Sequence, residues 1–248
     1  MSNAFDSSSR YYDLLYQEKD SAAEAAYIDQ LLQCHGIIGQ NLLEFGSGTG
    51  RHGRQLASRG YWVHGLERSE SMVAAAQQAN GFSCEIGDIT TTQLDRRFAA
   101  VLALFHVVSY QTTNSEVQAV FANAAFHLNH GGLFLFDVWY SPAVAAQRPE
   151  LRVKRLHTAD LEITRIAEPM IHCNQNRVDV HYTVLAHHTG SGEFETFKEV
   201  HPMRHFSLPE LDLLAEGAGF ERLTAEEWLT GSPPSESAWG VCVVLRKR

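Results

Sequence analysis

The sequence predicts an α/β fold in which a mostly parallel sheet carries helices on both faces and contains an inserted antiparallel β meander. Short apolar runs alternate with helical segments between residues 41 and 139, which is typical of parallel strands joined by right-handed crossovers. From about residue 150 to 206 the pattern changes to alternating β-branched, aromatic and polar residues, which is typical of antiparallel strands. The 248 residues are an ordinary length for one domain.

Each part of the chain contributes one piece of this fold. Residues 1–40 predict a helical cap, with helix over 10–35 whose leucines and isoleucine recur at helical spacing, interrupted by the polar stretch QEKDS. Residues 41–149 predict the core, with strands at 41–45, 61–67, 82–88, 98–106 and 132–139 and helices after the first, second and fourth of them. Residues 150–206 predict the meander. Residues 207–248 predict a helix and a closing strand pair, which brings the main sheet to seven strands.

The composition argues against several classes of partner. The 20 Lys and Arg against 29 Asp and Glu give a formal net charge of -9, and an acidic surface repels nucleic acid. No apolar run approaches the roughly 20 residues of a membrane span, and the N-terminus lacks signal-peptide features. The 4 cysteines and 13 histidines show no metal-binding spacing. We therefore expect a cytoplasmic protein with no nucleic-acid partner, no membrane association and no metal.

Three glycines follow the first buried strand at alternate positions. They are Gly46, Gly48 and Gly50, in an E-x-G-x-G-x-G pattern that begins at Glu44. Such a turn between a strand and a helix lets the backbone approach a ligand closely. A dinucleotide-binding fingerprint needs G-x-G-x-x-G, and Arg51 occupies the position of its last glycine. The turn therefore argues against a nicotinamide oxidoreductase.

The glycine pattern resembles motif I of the Rossmann-like, class I S-adenosylmethionine-dependent methyltransferases, and the resemblance continues along nearly the whole chain. "GYWVHGLERSESMVAAA" is similar to that family's second strand and following helix, and "LALFHVVSY" (102–110) to its segment after the fourth strand. The resemblance implies the cofactor S-adenosyl-L-methionine, with Glu67 on the ribose hydroxyls and Asp88 on the adenine amino group. The implied cofactor-binding residues are Tyr12, Tyr16, Glu44, Gly46, Ser47, Gly48, Glu67, Arg68, Asp88, Ile89, Leu104 and Phe105.

The N-terminal "YYDLLYQEKDSAAEAAYI" and the meander resemble the sugar amino-group methyltransferases of nucleotide-sugar pathways. Those proteins carry Y-D-x-x-Y followed by K-D-Y, and Ser21 replaces the last tyrosine here. "EVHPMRHF" (199–206) is similar to the end of their insert. The resemblance implies that Tyr12 and Tyr16 close over the cofactor, with Tyr16 near the sulfonium, and that the insert builds the acceptor pocket.

Methyl transfer is an in-line displacement aided by proximity and alignment, and an ammonium acceptor must first lose a proton. His201 and Tyr16 are the predicted catalytic residues, and His205 and Tyr140 are further candidates for the base. Alternate residues from 199 to 205 would share one face of a strand, although Pro202 disfavours a strand at this point. A purely structural role for His201 is the alternative.

Several functional alternatives stay open at this stage. The expected reaction is methylation of a small-molecule acceptor, such as the amino group of a sugar or another small amine. The alternatives are an enzyme that methylates an oxygen of a small metabolite and a protein that binds the cofactor without turnover. The meander is expected to be a lid over the acceptor site or a dimer interface, so the chain is a monomer or a homodimer.

Overall fold

The computed structural model describes residues 11–76 and 78–248, except for the side chains at positions 12 and 13. The helices are α1 (Tyr12–Leu15), α2 (Ser21–Cys34), α3 (Arg51–Ala57), α4 (Glu70–Ala75), α5 (Asn114–His127), α6 (Ser141–Gln147) and α7 (Leu208–Gly217). The strands are β1 (Asn41–Phe45), β2 (Trp62–Glu67), β3 (Phe82–Ile86), β4 (Phe98–Ala103), β5 (Leu128–Tyr140), β6 (Arg152–His157), β7 (Leu161–His172), β8 (Arg177–His188), β9 (Glu193–Phe206), β10 (Phe220–Glu227) and β11 (Gly240–Lys247).

The main sheet has the predicted mostly parallel arrangement. Its strand order is β3-β2-β1-β4-β5, all parallel, followed by β11 and β10, which run antiparallel. Helices α5 and α7 pack against one face of the sheet through one apolar cluster. Helices α2 and α3 pack against the other face through a second apolar cluster. Helices on both faces bury this sheet, as its nearly continuous apolar strands require. The carboxyl ends of β1, β2 and β4 therefore meet at one edge, where ligands bind in such folds.

The cap divides at the polar stretch that interrupts the predicted helical pattern of residues 10–35. The structure has two helices, α1 and α2, separated at residues 16–20. Asp20 ends the break because its Oδ1 accepts a hydrogen bond from the backbone N–H of Ala23 at 2.9 Å, which caps the start of α2. The helical periodicity on either side of the polar stretch belongs to two different elements.

The insert is the predicted antiparallel meander, formed by β6, β7, β8 and β9. The sequence pattern did not anticipate α6, which precedes it, nor the way it joins the main sheet. The last residues of β9 pair in parallel with the end of β5, Trp139 with His205 and Tyr140 with Phe206. This junction extends the predicted seven strands to one sheet of eleven.

Pro202 lies inside β9, although a proline at this position disfavours a strand in the sequence. It is paired with Asp179 on β8, whereas β9 meets β5 only at its last two residues. Proline is tolerated in a strand where its missing N–H would face no neighbouring strand. None of the helices in the described part of the chain has the length and apolar character that crossing a bilayer requires.

Candidate active site

A cavity of about 210 Å³ opens at the carboxyl ends of β1, β2 and β4, beside the glycine turn. Gly46 and Gly48 both have positive φ angles, 65° and 55°, a backbone conformation that glycine adopts without strain. A Cβ added at Gly46 would lie 2.6 Å from Val107 Cγ2, whereas one at Gly48 would meet only Met72 Sδ at 3.8 Å. Gly46 therefore permits close packing of the turn, and Gly48 lets its backbone border the cavity.

Glu67 ends β2 and lines the cavity with a carboxylate that is already oriented. Its Oε2 accepts a hydrogen bond from the backbone N–H of Gly48 at 3.0 Å, and its Oε1 accepts one from that of Ser69 at 2.9 Å. A carboxylate has about four lone-pair positions, so each oxygen can accept a further donor. The position and chemistry match a group that receives two hydroxyl donors from a ligand.

Glu44 and Ser47 lie at the base of the glycine turn and line the same cavity. Both are buried, and Glu44 Oε2 and Ser47 Oγ have no hydrogen-bond partner among the residues that the structure describes. Burial is the main cause that raises the pKa of Glu44 to about 7; His52 opposes this shift, and the nearby charge of Glu67 adds to it. Buried polar atoms are normally satisfied, so these two fit a polar or cationic ligand.

Asp88 and Ile89 follow β3 and border the cavity at its far side. Asp88 is exposed, and its Oδ1 accepts hydrogen bonds from the backbone N–H and the hydroxyl of Thr90 at 2.8 and 2.6 Å. Asp88 therefore caps the turn after β3, and its second oxygen is the one that can serve a ligand. Ile89 is buried against the core and offers an apolar wall. Arg68 is an exposed residue at the same side.

Leu104 and Phe105 follow β4 and form another wall of the cavity. Phe105 and the next residue, His106, both have φ of 63°, which is strained for side chains of this size. Asp137 on β5 holds this turn, because its carboxylate accepts the backbone N–H of His106 at 3.2 Å and lies 2.6 Å from that residue's Nδ1. The Phe105 ring meets the edge of Tyr16, with 5.0 Å between the ring centroids.

His201 does not line this cavity. It is buried behind Tyr110, whose hydroxyl lies 2.9 Å from His201 Nδ1, while His201 Nε2 lies 3.3 Å from Glu199 Oε2. His201 instead borders a second cavity of about 10 Å³, the space of about one water molecule. Tyr16 borders both cavities. The structure therefore brings Tyr16 to the predicted site directly and His201 only through Tyr110.

The remaining catalytic candidates lie away from the cavity walls. His205 is buried at the β5–β9 junction, where its Nδ1 is 2.8 Å from Ser141 Oγ, and burial lowers its pKa. Tyr140 lies at the same junction, paired with Phe206. The surroundings of both residues therefore indicate a structural role at the β5–β9 junction. The side chain of Tyr12, a predicted cofactor contact, lies outside the described residues.

Several cavity residues were missed by the sequence reasoning. Tyr110 is the last residue of the segment that resembles the family after β4, and that position is the signal that points to it. The cap and the start of α3 add two cations, a histidine and the carboxylate that contacts them, which no motif predicted. These residues are Lys19, Glu24, Arg51 and His52.

Comparisons with known proteins agree with this geometry. Residues 42–132 match the family model described as a methyltransferase domain. The chain is 30% identical over 225 residues to the dTDP-3-amino-3,4,6-trideoxy-alpha-D-glucopyranose N,N-dimethyltransferase of Streptomyces venezuelae, covering 90% of this chain and 92% of the relative. It is 29% identical over 231 residues to the dTDP-3-amino-3,6-dideoxy-alpha-D-glucopyranose N,N-dimethyltransferase of Streptomyces fradiae, covering 90% of this chain and 85% of that one.

A solved structure shows the same fold. CalS10, an amino pentose methyltransferase from Micromonospora echinaspora with bound S-adenosylmethionine, superposes with a TM-score of 0.78 at 26% identity, covering 95% of this chain and 96% of that one. The predicted activity and cofactor are thereby confirmed: the protein is an enzyme that uses S-adenosyl-L-methionine to methylate a small-molecule acceptor. The chain belongs to the Rossmann-like, class I S-adenosylmethionine-dependent methyltransferases and resembles the nucleotide-sugar amino N-methyltransferases.

Proposed function

We propose that the enzyme methylates the amino group of a sugar carried on a nucleotide, as the names of its relatives state for those proteins. The observation that carries the proposal is the hydrogen-bonded chain of half-buried Tyr110 with buried His201 and Glu199, which ends at the wall of the cofactor cavity. An amine is mostly protonated at neutral pH and needs a route by which its proton leaves. A tyrosine at the cavity wall, with a buried histidine and carboxylate behind it in hydrogen-bond contact, supplies such a route.

The proposed chain assigns one tautomer to His201. In it Glu199 acts as a carboxylate acceptor, and the N–H of His201 Nε2 donates a hydrogen bond to it. His201 Nδ1 is then an acceptor, and the Tyr110 hydroxyl donates to it. Glu199 and His201 are only 6% and 4% exposed, so bulk water does not compete for these bonds. This is the arrangement that takes a proton from the cavity side and moves positive charge toward Glu199.

The reaction then requires little beyond alignment. When bound, S-adenosylmethionine supplies a methyl group whose bond to the sulfonium breaks as the acceptor nitrogen bonds to its carbon, with the electron pair left on sulfur. Tyr110 accepts a proton from the acceptor nitrogen while its own proton passes to His201 Nδ1. Tyr16 is the positioning group: it borders the cavity, and its hydroxyl accepts a hydrogen bond from Arg165 Nη1 at 3.2 Å.

The cofactor roles rest on the cavity walls. Glu67 serves the ribose hydroxyls, Asp88 serves the adenine amino group, and Ile89 packs against the adenine ring. Leu104 and Phe105 border the methionine portion, with Glu44 and Ser47 beneath it. Gly46 and Gly48 shape the turn. Arg68 and Tyr12 complete the shell, as the family resemblance implies.

The meander acts as a lid on the acceptor side. Its inner face contacts the segment before α2: the hydroxyl of Tyr11 donates to Glu195 at 2.8 Å, and Lys154 Nζ donates to the backbone carbonyl of Leu15 at 3.1 Å. These bonds link the lid to the segment that borders the cavity. Its other face exposes Val153, Leu185 and Val200, which suits the alternative of a homodimer interface; monomer or homodimer stays a prediction.

An acceptor screen that reads S-adenosylhomocysteine release tests the proposed function. The matched substrates are a dTDP-amino sugar and the same nucleotide sugar with a hydroxyl in place of the amine. We expect turnover with the amine only, with one or two methyl groups added by mass spectrometry. Turnover with the hydroxyl compound alone would identify an O-methyltransferase. Cofactor binding without turnover on either compound would reject a nucleotide-linked amino sugar as the acceptor.

A further inference from the structure

The two ends of the cofactor cavity have opposite charge. Glu67 and Asp88 line the side formed by the ends of β2 and β3, whereas Lys19, Arg51 and His52 line the side formed by the cap and the start of α3. The acidic side fits the neutral hydroxyls and the amino group of an adenosine. The basic side has no role in the assignments given so far.

One carboxylate offsets part of this positive charge. Glu24 is buried, and its oxygens lie 3.0 Å from Lys19 Nζ and 2.6 Å from His52 Nε2. Burial alone would raise the pKa of Glu24, but the hydrogen bond from His52 and the charge of Lys19 outweigh it and hold the pKa at about 2. Glu24 is therefore ionised at neutral pH and balances a single positive charge.

Arg51 is left without an acidic partner among the described residues. Its Nη1 donates to the backbone carbonyl of Tyr16 at 3.0 Å, which uses one of the five N–H donors of a guanidinium. Lys19 Nζ lies 3.6 Å from the centroid of the Phe105 ring, so this cation is held beside the wall that follows β4. Ser21 lines the same side and is small, which leaves space in front of the two cations.

We propose that Arg51, with Lys19 beside it, binds the α-carboxylate of the methionine portion of the cofactor. A guanidinium fork matches the geometry of a carboxylate and binds it more strongly than a neutral donor does. The carboxylate also supplies the negative charge that Arg51 lacks. This assignment concerns cofactor specificity and does not depend on which acceptor the enzyme methylates.

Two ligands that differ in one group test the assignment by titration calorimetry. They are S-adenosylhomocysteine and its decarboxylated analogue, S-adenosyl-3-thiopropylamine. We expect the wild-type enzyme to prefer the carboxylate form, and Arg51→Met to reduce that preference by roughly tenfold or more while leaving the affinity for the analogue nearly unchanged. Arg51→Lys should retain part of the preference. Arg59→Met, which removes an exposed arginine just after α3, is the matched control and should keep it.

Two results would overturn the assignment. An equal loss of affinity for both ligands would mean that Arg51 only holds the Tyr16 segment in place. An unchanged preference in Arg51→Met would mean that the carboxylate binds elsewhere. Thermal melting monitors folding of the variants, and Lys19→Met provides a second test if Arg51→Met does not fold; an unchanged preference there would equally reject the proposal. All of these measurements use cofactor binding, so a failed acceptor screen would not affect them.

Discussion

Replacing Glu67 with alanine is expected to weaken cofactor binding by roughly tenfold to 150-fold. The carboxylate is only 8% exposed, and its oxygens accept backbone hydrogen bonds from Gly48 at 3.0 Å and Ser69 at 2.9 Å. These bonds orient the remaining lone pairs before the cofactor arrives. A hydrogen bond to a charged group contributes roughly 1.5–3 kcal/mol, and about 1.4 kcal/mol corresponds to a factor of ten.

The same two backbone bonds make a simple loss of affinity ambiguous, because alanine also releases the glycine turn. The assay therefore compares S-adenosylhomocysteine with its 2′,3′-dideoxy analogue by titration calorimetry. If Glu67 binds the ribose hydroxyls, the wild-type enzyme discriminates against the dideoxy ligand and Glu67→Ala does not. Glu67→Gln, which retains an oxygen acceptor, should show a smaller effect. Glu70→Ala, at an exposed residue of α4, is the control.

The reasoning fails in either of two cases. A folded Glu67→Ala protein with wild-type affinity would remove Glu67 from the cofactor site. An equal loss of affinity for both ligands would assign Glu67 to the structure of the turn alone.

The other predictions concern the turn, the hydrogen-bonded chain and a titrating acid. Gly48→Val should abolish cofactor binding, because valine is strained at φ of 55° and its side chain would border the cavity; normal calorimetric titration of a folded variant would contradict this. His201→Ala should lower turnover by roughly 10- to 100-fold and change the pH–rate profile while cofactor affinity and sedimentation stay constant; normal turnover in a folded variant would assign His201 a structural role only. Glu44, whose pKa burial raises to about 7, is neutral below that pH and ionised above it, so affinity for the cationic cofactor should rise as pH increases through about 7. Glu44→Gln should make calorimetric affinity nearly independent of pH, and an unchanged slope would exclude Glu44 as the titrating group.

The sequence by itself determined the main sheet and the cofactor turn. Alternate glycines after an apolar strand, and an acid at the end of the next strand, predict where Gly48 and Glu67 lie, because they follow local rules of turn chemistry and strand periodicity. The carboxyl ends of neighbouring parallel strands meet at one edge. The relative positions of these residues therefore follow once the strands are assigned.

Tertiary structure decided the features that depend on contacts between distant parts of the chain. The parallel pairing of Trp139 with His205 joins the insert to the main sheet, and nothing in either segment specifies that partner. The same junction fixes β9 next to the segment that follows β4. His201 on β9 is therefore buried behind Tyr110. A strand pattern predicts which residues share a face, but not what that face contacts.

The cap shows most clearly which features the sequence determines and which depend on tertiary contacts. The helical spacing of residues 10–35 predicts helix, yet only the capping bond of Asp20 sets where α2 begins. That break places Lys19 over Phe105 and the Tyr16 carbonyl against Arg51. These contacts join residues more than 30 positions apart in the chain, so the basic end of the cavity has no local signature in the sequence. It exists because packing of the cap onto α3 and the turn after β4 brings those charges together.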